Sequence, residues 1–150
     1  MASTKLGGFL MLVSIFLPVY LIYVRPCTYC IDEKNISWYL YWLFGVSIEL
    51  AKDKIGVYFI INPFSIVFFG VLLISSIIAI KKDGLTQFVI GIFSLIVLIS
   101  NFVYTFLFFP SLYWTPKYSI IVFPIMGFFL CIIGAIFEII GGYRTNLPKM

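Results

Sequence analysis

The chain reads as an all-α protein: a transmembrane bundle of four membrane-spanning helices with an interfacial helix in an outer loop. Two observations predict this. The stretches 6–24, 55–80, 84–116 and 118–137 contain no charged residue, and each has about the 20 residues needed to cross a bilayer at a helical rise of about 1.5 Å. The composition agrees, with 63% hydrophobic and only 11% charged residues and a mean hydropathy of +1.13. The 150 residues form one expected integral membrane domain, with spans near 6–24, 58–80, 86–109 and 118–142 and an outer loop over 25–57.

Span one carries Gly7-Gly8 near its start and Pro18 inside, where a kink is expected. Its apolar run continues to Val24 and ends in Arg25-Pro26-Cys27 without an Ala-x-Ala pattern, so it is expected to be kept rather than cleaved. Asn62-Pro63 suits the opening of span two. Lys81-Lys82-Asp83-Gly84 is a tight turn that makes spans two and three antiparallel neighbours. Tyr113 and Trp114, between spans three and four, suit an aromatic belt at the interface. Residues 35–48 are uncharged and Trp38 to Phe44 is continuously apolar and aromatic, which predicts the interfacial helix over about 36–50.

Lys5, Lys81, Lys82, Arg144 and Lys149 flank the spans and place both termini on the cytoplasmic side, in the cell membrane, under the positive-inside rule. The net charge of +4 is scattered, without the dense basic patch of a nucleic-acid binder. The expected partners are the lipid bilayer and a protein partner or further copies of the chain.

These 150 residues contain no histidine, which removes zinc sites with His, His-ligated haem and Ser-His-Asp triads. Of six carboxylates, only Glu138 falls within an expected span. No metal and no resident cofactor are expected, and the balance leans away from an enzyme.

Cys27-Thr28-Tyr29-Cys30 is the one motif with redox meaning. Two thiols at this spacing can close a small disulfide on the outer face or exchange with a dithiol. The string 25–34, Arg-Pro-Cys-Thr-Tyr-Cys-Ile-Asp-Glu-Lys, resembles the bacterial membrane disulfide oxidase family (DsbB type). That resemblance implies electron transfer from Cys27 and Cys30 to a quinone, with Lys34 standing where the family usually has Arg. The family's second cysteine pair has no counterpart in Ser111-Leu112-Tyr113-Trp114.

Glu138 is a candidate for proton or cation handling, or it reaches water and Arg144 at the cytoplasmic end. Asn101 is expected to bond between helices. Gly127, Cys131 and Ala135 recur every four residues, a small face suited to close helix approach. Asn35-Ile36-Ser37 is a glycosylation sequon. Three functions follow. The first is a non-enzymatic tetraspan, an accessory or structural subunit or a self-associating protein. The second is a membrane thiol–disulfide oxidoreductase through Cys27 and Cys30, which alone would need a quinone. The third is a small proton-coupled transporter through Glu138.

Overall fold

Helices and strands alternate in blocks along the chain. The computed structural model describes residues 2–26, 37–44, 46–51, 54–59, 63–113 and 118–146. Its elements run α1 (Ala2–Ile15), β1 (Tyr20–Pro26), β2 (Ser37–Tyr41), β3 (Val46–Ala51), β4 (Lys54–Phe59), α2 (Pro63–Lys81), α3 (Leu85–Tyr113), β5 (Tyr118–Pro124) and α4 (Met126–Asn146). The strands form one antiparallel sheet in the order β4-β3-β2-β1-β5. The all-α expectation is therefore overturned: the fold is mixed.

The corrections are specific. The interfacial helix expected over 36–50 is a hairpin of β2 and β3, with the Trp42 N–H donating to the Val46 carbonyl at 2.9 Å. The span expected over 6–24 divides in two. Its helix α1 has 14 residues, about 21 Å against a hydrocarbon core of about 30 Å, and the chain then passes Pro18 into β1. The span expected over 118–142 likewise divides, into β5 and α4. Among the described residues, three helices are long and apolar enough to cross a membrane: α2 over Phe64–Lys81, α3 over Leu85–Leu107 and α4 over Met126–Thr145.

Local chemistry accounts for the boundaries. Pro63 opens α2, where its missing N–H costs nothing. Gly84 turns the chain between α2 and α3 at φ 71°, a conformation that favours glycine. The strands are rich in Tyr, Ile, Val and Trp, which suit a pleated surface. Backbone bonds stitch the sheet to the end of α1. Val19 N–H donates to the Tyr41 carbonyl at 2.8 Å, and Ile125 N–H to the Val19 carbonyl at 3.0 Å. The Trp42 indole adds a bond to the Phe16 carbonyl at 3.2 Å.

Helix α4 is gripped from two sides by backbone contact. A β-carbon added to Gly134 would lie 2.7 Å from the Gly7 carbonyl of α1. One added to Gly91 of α3 would lie 2.8 Å from the Ala135 carbonyl. Without side chains in the way, backbones approach closely and gain dispersion contacts. Gly8 packs on Ala79 and Ile80, and Gly142 on Gly84 and Phe88. These contacts bring the start of α1, the α2–α3 turn and the end of α4 together. Lys5, Lys81, Lys82 and Arg144 are consequently all exposed at one end, and the sheet lies at the other.

Two glycine substitutions separate packing from helix propensity. A β-carbon at Gly7 would sit 2.6 Å from the Gly134 carbonyl, whereas one at Gly70 meets nothing within 4 Å. Gly7→Ala should cost about 1–3 kcal/mol, read as a lower thermal midpoint in detergent. Gly70→Ala should leave that midpoint unchanged or slightly raise it.

Candidate functional site

Along α3, Gln87, Ser94 and Asn101 recur at intervals of seven, followed by Thr105, and all four are buried. Seven residues are close to two helical turns, so these side chains line one stripe facing the bundle interior. The stripe joins two polar clusters, one at the sheet end and one at the basic end.

At the sheet end, Tyr20 is fully buried and its hydroxyl donates to Asn101 Oδ1 at 2.6 Å. Thr105 also faces that hydroxyl. The Tyr20 ring stacks on Tyr41, its register partner on β2, with centroids 6.4 Å apart and planes 17° from parallel. Phe102 and Phe128 close the other sides at 6.0 and 6.1 Å. Ser65 at the start of α2 faces the Tyr41 hydroxyl. Burial raises both phenols above their ordinary range, so each remains a neutral donor. Strand register and helix packing meet at this point.

At the basic end, Glu138 is fully buried. Its carboxylate lies against the Cα of Gly7, in the space that a side chain there would need. Gln87 and the backbone of Gly8 face it. Neither carboxylate oxygen has a hydrogen-bond partner of ordinary geometry among the described residues. Arg144, the partner the sequence offers, is exposed at the end of the helix. Desolvating a carboxylate without a strong partner is costly, which makes this the most demanding group in the interior.

The small-residue face on α4 divides its contacts between two neighbours. Gly127 packs on the carbonyls of Ser14, Leu17 and Pro18, and Cys131 is buried facing Ser14. Ala135 is fully buried with its carbonyl against Gly91 of α3. Cys27, Cys30, Lys34 and Asn35 lie outside the described residues, and so does any disulfide between the two cysteines. No group of three or more Cys, Asp or Glu side chains suited to a metal occurs among the described residues.

Sequence reasoning singled out Asn101 and Glu138 but missed Gln87, Ser94, Thr105 and the Tyr20–Tyr41 pair. The seven-residue spacing of polar side chains in an otherwise apolar helix was the available signal for the first three. The tyrosines carried none, because their partner strand was read as helix. No family model matches this sequence, and no curated protein matches it significantly.

Tyr20→Phe tests the sheet-end cluster. It removes the donor to Asn101 and leaves a buried amide oxygen unsatisfied, at a cost of about 1–3 kcal/mol. The expected readout is a lower thermal midpoint together with faster amide exchange in β1 and β2.

Proposed function

We propose that the protein is a non-enzymatic integral membrane protein that works by contact, as an accessory subunit of a membrane assembly or a self-associating protein. The observation that carries this reading is the close backbone packing of α4 on α1 and α3. Backbones meet at Gly7–Gly134 and Gly91–Ala135, leaving little room for a substrate path. What the bundle presents is a sheet at one end and a basic rim at the other. Under the positive-inside rule the rim of Lys5, Lys81, Lys82 and Arg144 is cytoplasmic, and the sheet faces out from the cell membrane.

A second reading has its own observation. Glu138, buried with no hydrogen bond of ordinary geometry to either oxygen among the described residues, is the kind of intramembrane carboxylate that handles protons or cations. Under that reading reconstituted protein would carry protons across liposomes and Glu138→Gln would abolish the flux. Under the contact reading neither protein does so.

Purification in mild detergent tests the main proposal. The expected particle contains more than one chain, as copies of this protein or as a stoichiometric complex. A single-chain particle that oxidises a dithiol with quinone, and loses that activity with Cys30→Ser, would contradict it.

A further inference from the structure

Both faces of the sheet are largely apolar, and the polar side chains named next lie on the inner one. Ser47, Glu49 and the paired hydroxyl of Tyr39 lie on the face shared with buried Tyr20, Ile22 and Tyr41, where Tyr39 donates to Glu49 at 2.9 Å. On the opposite face the register aligns two rows, each crossing all five strands. One row runs Phe123–Leu21–Leu40–Ile48–Val57 and the other Ile121–Tyr23–Trp38–Leu50–Ile55. None of these positions carries a charge. An antiparallel sheet with one free face normally turns its polar residues outward.

This face is open. Ile55 is 79% exposed and Val57 61%, while Ile121, Phe123, Leu50 and Trp38 range from 46% to 37%. Such exposures amount to roughly 600 Å², at about 150–250 Å² for a fully exposed large side chain. That is the upper end of the largest patch of a typical monomer, about 300–600 Å². It approaches the roughly 800 Å² per partner of a standard specific interface.

We infer that a second copy of this chain covers the face, sheet against sheet, in a two-fold dimer. The inference rests on the proposed membrane residence and contact function, and it names the partner. Lipid is a poor cover, because β1 follows α1 and β5 precedes α4 at the end opposite the basic rim, which sets the sheet beyond the membrane-crossing stretches. A second copy has what the two rows need: its own rows are equally uncharged, and they match in width and area. Two copies in one bilayer share orientation and height, so the two rows of one meet the two rows of the other. Sheets packed in this way lie about 10 Å apart, and an isologous contact closes without further growth.

Cross-linking tests the assignment in a variant with Cys27, Cys30 and Cys131 changed to Ser. The two-fold axis sets β4 of one copy over β5 of the other, so the double variants Ile55→Cys/Ile121→Cys and Val57→Cys/Phe123→Cys, treated in membranes with a bis-maleimide of about 10 Å reach, should each give a dimer of this chain. Ile96→Cys, on an exposed position of α3, should not. Val57→Glu should convert the two-copy detergent particle to one copy without lowering the thermal midpoint of the subunit. Cross-links from position 55 to a different protein would overturn the second-copy assignment and leave the contact function standing. Quenching of a fluorophore at position 55 by nitroxide lipids in single-copy nanodiscs, with no cross-link at 55 or 57, would overturn the assignment in favour of lipid. A one-copy particle with no cross-link to any protein and turnover of a dithiol would overturn both.

Discussion

The close backbone contact of α4 with its neighbours is the constraint from which the rest of the structure follows. In an apolar surround no hydrophobic gain separates one helix pairing from another, so van der Waals fit decides it. Gly134 against Gly7 and Ala135 against Gly91 fix how far α4 slides along α1 and α3. That register sets where the chain leaves α1 and where it enters α4. Pro18 and Gly127 meet there through a backbone bond of 3.1 Å, and Val19 is bonded from both Tyr41 and Ile125 segments. The sheet inherits its position from the helices beneath it.

The same packing creates a polar interior. Small residues sit where the backbones touch, and buried polar side chains lie among apolar core residues such as Met11, Ile15, Leu72 and Leu98. The stripe on α3 supplies Asn101 to Tyr20 at the sheet end and Gln87 to Glu138 at the basic end. The two ends differ in consequence. Tyr20–Asn101 is a closed hydrogen bond that ties sheet to bundle, whereas Glu138 is a buried carboxyl group faced by Gln87 and the Gly8 backbone without a hydrogen bond of ordinary geometry among the described residues. The first is a structural joint, and the second is the buried acidic group among the described residues.

The helices were legible because their signal is length and uniform apolarity. Pro63 and the Lys81–Gly84 turn were read correctly for local reasons, a tolerated first-turn proline and a residue suited to positive φ. The strands were not legible because both faces of the sheet are largely apolar. A strand announces itself by alternation only when one face is polar. In Trp38 to Phe44 the inward Tyr39 and Tyr41 and the outward Trp38 and Leu40 are all large and apolar or aromatic, so period two vanished. The same loss merged β1 with α1 and β5 with α4. Pro18 and Pro124 were available as punctuation, and they mark the helix–strand junctions rather than kinks inside longer helices. At the interior, Glu138 stood out as a lone charge. Tyr20 and Tyr41 could not be paired without the strand register that joins them.

The central claim is that a five-stranded sheet, hydrogen-bonded to the helix ends through β1, replaces what would otherwise be an aromatic interfacial helix. Nuclear Overhauser contacts in lipid nanodiscs test it most directly. The account predicts cross-strand backbone contacts from Ile22 to both Tyr39 and Val122, the register partners on β2 and β5. Contacts between residues three apart along 37–44, with none from Ile22 to either partner, would contradict it.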